Sequence, residues 1–178
     1  FLKDSKAGGD MKPYKLVLAD DHVIFRKGIK GLIKEKPDLE VVGEASNGLE
    51  LLNLFYKGLR PDMVILDISM PNLRGIEATE EIKSIDPDVK ILILTMHKSK
   101  EYLYHSISAG AHGYLLKEDS DIELFSAIET IRNGGIFVSS FLTKEITEDL
   151  SNIYQGGKQP KRESLTPRER EVLKLVAE

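Results

Sequence analysis

The run Met63-Val64-Ile65-Leu66 constrains the fold more than any other part of the chain. Its apolar side chains are consecutive, mostly branched and closed in by Pro61 and Pro71, so the segment is too short for a helix. An apolar run without polar alternation reads as a strand covered on both faces, and such strands belong to parallel sheets flanked by helices. The next residue is Asp67, so the strand delivers a carboxylate to the C-terminal edge of the sheet, with no cation adjacent in sequence. In open α/β sheets that edge is where ligands bind. Taken alone, Asp67 serves equally well as a cap for a turn or for the following helix.

Three more strand-like segments end in residues that carry chemistry. Lys15-Leu16-Val17-Leu18-Ala19 leads into Asp20-Asp21, Lys90-Ile91-Leu92-Ile93-Leu94 into Thr95, and Gly113-Tyr114-Leu115-Leu116 into Lys117. The C-terminal ends of parallel strands share one edge, so three carboxylates, a hydroxyl and an ammonium converge there. Carboxylates so crowded need either protons or a hard cation, and an all-oxygen ligand set suits Mg²⁺.

Between these strands the apolar spacing turns helical. Phe25, Gly28-Ile29, Leu32 and Ile33 mark a helix with one buried face that ends before Pro37. Glu40 to Ala45 reads as a strand, Asn47-Gly48 as a turn, and Leu49, Leu52, Phe55 and Tyr56 as a second helix stopped by Gly58. After the loop Pro71 to Gly75, Ala78, Ile82 and Ile85 form a third stripe, which stops at Asp86-Pro87. Glu101 to Gly110 has few large apolar residues besides Leu103 and Ile107, which predicts the least firmly packed helix and a candidate moving part. Ser120 or Asp121 is the expected cap of a fifth helix, with Leu124, Phe125, Ile128 and Ile131 inward and Asn133-Gly134-Gly135 as its stop. Five strands alternating with five helices predict an α/β domain built on a doubly wound, five-stranded parallel sheet.

An extra helix is expected from Ser139 or Ser140 through Tyr154, with Leu142, Ile146, Leu150 and Ile153 on one face. Gln155 to Ser164 is glycine, proline and charge without periodicity, hence a linker. Thr166-Pro167-Arg168-Glu169 then places Thr at the cap, Pro at the first helical position and Glu three after the cap, a capping box opening a helix with Val172, Leu173 and Val176 as its stripe. The expected organisation is a vector remnant at 1–10 before a native start at Met11, a main domain at 11–134, a connecting helix and linker at 135–164, and the start of a further domain at 165–178.

Composition closes off several function classes. The chain has 178 residues, 41% of them apolar, enough for one packed domain and a remainder. It has no cysteine, which excludes disulfides, thiolate metal sites and cysteine nucleophiles. No apolar run approaches about 18 residues and no hydrophobic leader opens the chain, so no membrane partner is expected and a cytoplasmic location is the default. A net charge of −4 argues against a chain that wraps nucleic acid on a broad basic face. His22, His97, His105 and His112 include no i, i+4 pair, so no zinc site is expected.

The motifs Leu18-Ala19-Asp20-Asp21-His22, Ile65-Leu66-Asp67-Ile68-Ser69-Met70-Pro71 with Gly75, Leu94-Thr95-Met96 and Gly113-Tyr114-Leu115-Leu116-Lys117 together resemble the receiver domains of bacterial two-component response regulators, over roughly Lys15 to Asn133. The segment Ser164 to Leu173 resembles the start of a LuxR-type helix-turn-helix domain, as in the NarL/FixJ group, with that domain's scaffold and recognition helices expected beyond Glu178. A haloacid dehalogenase-type enzyme would want an aspartate where Ser69 stands, and a dinucleotide binder a glycine-rich loop where Ala19-Asp20-Asp21-His22 stands.

The resemblance implies a flavodoxin-like receiver fold and a phosphorylation switch. Asp67 would take a phosphoryl group from a sensor histidine kinase, and the full-length protein would use it to control DNA binding and transcription, with a homodimer as one outcome of phosphorylation. It implies Mg²⁺ held by Asp20, Asp21, Asp67 and the Ser69 backbone carbonyl, Asp21 directly and Asp20 partly through water. Lys117 and the Thr95 hydroxyl would meet the phosphoryl oxygens, and Thr95 with Tyr114 would form the switch pair. Ser69 and His97, two residues beyond the aspartate and the threonine, would tune dephosphorylation as a base, a water-orienting group or a shield. The competing reading is a phosphorylation-independent receiver-like binding module.

Overall fold

In the computed structural model, which describes residues 12–156, the strands are β1 (Tyr14–Ala19), β2 (Leu39–Ala45), β3 (Met63–Leu66), β4 (Lys90–Thr95), β5 (Gly113–Leu116) and β6 (Phe137–Val138). They form one sheet in the order β2-β1-β3-β4-β5-β6, every neighbouring pair parallel. The helices are α1 (Val23–Lys34), α2 (Gly48–Tyr56), α3 (Gly75–Ile85), α4 (Lys100–Ser108), α5 (Ser120–Arg132) and α6 (Ser140–Gly156). The expected remnant at 1–10, Met11, most of the linker and the helix from 165 lie outside the described residues.

Strand period two sorts the side chains into two cores. Leu16 and Leu18 of β1 and Met63 and Ile65 of β3 point to the face covered by α1 and α5, where Ile29, Ile33, Leu124 and Ile128 meet them. Val17, Ala19, Val64 and Leu66 point to the other face, against Leu51 and Phe55 of α2, Ile82 of α3, and Leu103 and Ile107 of α4. All four residues of β3 are buried, which is why that strand has no polar alternation. Each such side chain contributes about 1.5–3 kcal/mol on burial.

Four readings from the sequence are corrected. The sheet has a sixth strand, the two-residue β6, paired as Gly113↔Phe137 and Tyr114↔Val138. Two residues are too few to show a strand period, and the chain reaches that edge through Gly134, whose φ of +87° suits glycine. Asn47-Gly48 is a helix start instead of a free turn: the Asn47 side chain accepts from Glu50 N–H at 2.9 Å, and the Glu50 carboxylate accepts from Ser46 N–H and hydroxyl at 2.8 and 2.7 Å. Neither Ser120 nor Asp121 caps α5. A 3-10 turn, Lys117–Asp119, leads into that helix, and the Ser120 hydroxyl donates to the Lys117 carbonyl at 2.7 Å. Finally, α6 runs to Gly156, past the expected start of the linker at Gln155.

Helix α4 buries Leu103 and Ile107 together with Ser106, whose hydroxyl donates to the Tyr102 carbonyl at 2.7 Å. Leu142 and Ile146 of α6 join the core on the α2–α4 face, and Lys100 of α4 pairs with Asp149. The side chains of Leu150 and Ile153 lie outside the described residues.

Strand register assembles the site. Ala19 pairs with Leu66, so the residues that follow, Asp20 and Asp67, emerge side by side. The chain runs from β1 to β2 on one side and then returns to β3 on the other, so the two aspartates flank the topological switch point of the sheet.

Candidate functional site

Backbone bonds carry the sheet one residue beyond the strand ends. Asp67 N–H donates to the Ala19 carbonyl at 2.9 Å and Asp20 N–H to the Ala45 carbonyl at 3.1 Å, fixing both aspartates where the ladder stops. Both are buried, at 3% and 5% exposure. Arg26 of α1 holds the Asp20 carbonyl with one nitrogen and meets the Glu44 carboxylate at 3.2 Å with another, while Lys30 also pairs with Glu44. The Lys30 and Arg26 contacts hold the Glu44 carboxyl below the usual range.

The cation that the sequence around Asp67 lacks arrives from 50 residues on. Lys117 is 7% exposed, and its Nζ lies 2.7 Å from Asp20 Oδ2 and 3.0 Å from Asp67 Oδ2. It also sits 4.8 Å from the centre of the Phe25 ring, whose π face favours a cation. An ion pair this buried is retained only with such close geometry, because each charge loses water.

Asp21 is more open, and His22 turns back onto the aspartate pair. His22 Nδ1 lies 3.0 Å from Asp21 Oδ1 and 3.2 Å from Asp20 Oδ1, and its backbone N–H donates to Asp20 Oδ1 at 2.8 Å. One ligand atom from each of Asp20, Asp21, His22 and Asp67 lies within 4.8 Å of all the others. Oxygens on opposite sides of a bound Mg²⁺ are about 4 Å apart, so this set has the right scale. It also has the right charge: three carboxylates against one ammonium leave a negative surplus for a divalent ion to neutralise.

A second set of contacts centres on His97. Its Nε2 lies 2.7 Å from Ser69 Oγ, its ring stacks on Tyr102 with centroids 4.4 Å apart, and its backbone N–H donates to the Thr95 hydroxyl at 3.2 Å. Its carbonyl accepts from the Tyr114 hydroxyl at 2.8 Å. Tyr114 is fully buried, and burial followed by the neighbouring Tyr102 holds its phenol well above the usual value. The four residues expected at the switch and tuning positions thus form one connected chain, Thr95 and Tyr114 through the His97 backbone and Ser69 through its ring.

Sequence reasoning found Asp20, Asp21, Asp67 and Lys117 together, and missed Phe25, Arg26 and His22 as parts of the site. Phe25 was legible only as an apolar position of α1. The adjacency Asp20-Asp21-His22 was the signal for His22, which a search for helical i, i+4 histidine pairs passes over.

Gly75, the first residue of α3, lies against this edge: a Cβ there would stand 2.1 Å from the Asp67 carbonyl oxygen. The profile of the response regulator receiver domain matches residues 16–129. The chain belongs to the response regulator family. Curated relatives of the regulator include the oxygen regulatory protein NreC of Staphylococcus epidermidis, 38% identical over 168 residues and covering 92% of this chain and 77% of that protein. The transcriptional regulatory protein DegU of Brevibacillus brevis is 32% identical over 177 residues, with 92% and 75% covered. A solved LuxR-family two-component response regulator from Aurantimonas sp. SI85-9A1 superposes with a TM-score of 0.74 at 36% identity, over 79% of this chain and 99% of that one. The isolated REC domain of RcsB from Salmonella enterica serovar Typhimurium, in the presence of the phosphomimetic BeF3-, gives 0.69 at 27% identity, over 75% and 98%. The regulator therefore carries the flavodoxin-like receiver fold of LuxR-family two-component proteins. Among its described residues no helix is long and apolar enough to cross a membrane.

Proposed function

We propose that Asp67 is the phosphoryl acceptor of this regulator and that the donor is the phosphohistidine of a sensor kinase. The observation that carries the proposal is the buried bridge of Lys117 between Asp20 and Asp67, on the edge where four ligand atoms crowd within 4.8 Å. An Asp67 carboxylate oxygen attacks phosphorus, the phosphorus–nitrogen bond of the donor breaks, and the histidine leaves. Lys117 Nζ, already 3.0 Å from the nucleophilic carboxylate, balances charge on the transferring group, and the Thr95 hydroxyl is the second donor for its oxygens. Asp20, Asp21, Asp67 and the Ser69 carbonyl would hold Mg²⁺. When bound, the ion supplies further neutralisation of the phosphoryl oxygens.

The readout passes through the His97 contacts: a Thr95 hydroxyl drawn to the phosphoryl group leaves the His97 N–H, whose residue also holds Tyr114 and Ser69. Ser69 and His97 flank the line of attack of a hydrolytic water and set the lifetime of the acyl phosphate. In the full-length regulator the output is DNA, bound through the LuxR-type domain whose start residues 165–178 resemble, with homodimer formation accompanying phosphorylation. The domain divides as 11–134 for the receiver and 135–164 for the connector.

The test is incubation with a small acyl-phosphate donor, with Mg²⁺ or with chelator. Mg²⁺-dependent incorporation is expected, with Asp21→Ala losing the metal dependence more completely than Asp20→Ala. Incorporation at equal rates with chelator would overturn the reading.

A further inference from the structure

We propose that His22 is a ligand of the cation in this site, through Nδ1, and that it biases the site toward transition-metal ions over Mg²⁺. The inference rests on the acidic site being a cation site, as proposed above.

His22 occupies the N-cap position of α1, yet its side chain makes no capping bond to the helix. Its backbone N–H is committed to Asp20 Oδ1 instead, and that bond pins the loop so that the ring reaches the acids. Nδ1 then stands between an oxygen of Asp21 at 3.0 Å and one of Asp20 at 3.2 Å, and a ring nitrogen of His22 lies within 4.8 Å of an Asp67 oxygen. Lys117 takes the other oxygen of Asp20, Oδ2, so ammonium and imidazole share that carboxylate, one oxygen each. As a hydrogen-bond donor, the Nδ1–H group holds the two carboxylates together. As a ligand, the same atom presents its lone pair to an ion held by those carboxylates, with the ring proton moved to Nε2 or released to solvent.

The consequence is one of ligand type. Carboxylate, carbonyl and water suit Mg²⁺, whereas an imidazole nitrogen adds preference for ions later in the first transition row. Mg²⁺ keeps several waters when bound, so losing one nitrogen ligand costs it little, since water replaces it. A transition ion loses a bond it prefers.

Two measurements on the full chain decide this, each using a metal ion alone as the probe. The first is pulsed electron paramagnetic resonance of bound Mn²⁺, which detects a directly bound imidazole nitrogen as nitrogen-14 modulation. The modulation is expected in wild type, lost in His22→Asn and kept in His97→Asn. The second is calorimetry with Co²⁺ and Mg²⁺. His22→Asn is expected to weaken Co²⁺ about tenfold or more while Mg²⁺ affinity stays within about twofold. Preserved Mg²⁺ binding also reports that the variant is folded. Mn²⁺ bound without nitrogen modulation in wild type, or modulation that survives His22→Asn, would overturn the role of His22 and leave the acidic site standing. No Mn²⁺ binding in wild type would overturn both. If His22→Asn does not fold, the wild-type and His97→Asn spectra decide the question.

Discussion

Gly75→Ala is the substitution whose effect can be worked furthest. The added Cβ would sit 2.1 Å from the Asp67 carbonyl oxygen, 2.9 Å from the Asp67 carbonyl carbon and 2.9 Å from Ile68 Cα. All three are backbone atoms, and Cβ atoms essentially never approach closer than 3.0 Å, so the start of α3 and the Asp67 loop must part by about 1 Å. The Gly75 N–H bond to the Ile68 carbonyl, 2.9 Å long, stretches with them. Overpacking of this kind costs about 1–3 kcal/mol, and at about 2–4 °C per kcal/mol the midpoint should fall by roughly 4–8 °C for a loss near 2 kcal/mol. A reacting group displaced by about 1 Å also loses on the order of 100-fold in rate. Thermal unfolding by circular dichroism reads the first effect, and phosphorylation by a small acyl-phosphate donor reads the second. Gly28→Ala is the matched control: a Cβ there meets nothing within 4 Å, and Ala in the middle of α1 should stabilise by about 0.5–1 kcal/mol. A Gly75→Ala protein as stable as wild type and phosphorylated at the wild-type rate would refute the reasoning.

The contact between Ser69 and His97 predicts that their effects on dephosphorylation are coupled. Ser69→Ala and His97→Ala should each change the decay rate several-fold, and the double variant should fall short of the sum by at least about 0.5 kcal/mol in a double-mutant cycle; additive effects would separate the two residues. Tyr114→Phe removes the bond to the His97 carbonyl and should cost about 1 kcal/mol in chemical denaturation, while an unchanged midpoint would make that bond irrelevant to stability. Asp119 has a buried, unpartnered Oδ2, and burial followed by Glu123 and Glu118 raises its pKa. A raised carboxyl means the folded state binds the proton more tightly, so ionised Asp119 destabilises the fold above its folded-state pKa, and the loss fades as pH falls toward the unfolded value near about 3.9. Asp119→Asn should therefore be more stable than wild type at neutral pH and converge with it in acid, and a stability gap independent of pH would contradict this.

The parts of the fold that the sequence made legible are those with strong local periods. Met63 to Leu66 shows no alternation because both faces of β3 are covered, and the α1, α3 and α5 stripes are the residues that face the sheet. β6 was invisible because its two residues gain their strand character from pairing with β5, which is a tertiary effect. The convergence of Asp20, Asp21, Asp67 and Lys117 was legible because parallel strands bring their ends to one edge. What the sequence could not carry was geometry within that edge. The ring of Phe25 beneath Lys117, the Arg26 bond to the Asp20 carbonyl and the Nδ1 of His22 between two carboxylates depend on how α1 leaves β1. His97 likewise read as a lone histidine after a strand, and only the fold shows its backbone and ring joining Thr95, Tyr114 and Ser69.

The central claim is that the carboxylate held by Lys117 is the one that carries the signal. Phosphorylating the protein with an acyl-phosphate donor and Mg²⁺, trapping the acyl phosphate by borohydride reduction, and mapping the reduced residue by peptide mass spectrometry tests it directly. The account predicts a single trapped position at Asp67 and none in Asp67→Asn, whose amide keeps the size of the side chain without the nucleophilic oxygen. Trapping at any other aspartate in the wild-type protein, or undiminished incorporation in Asp67→Asn, would contradict it.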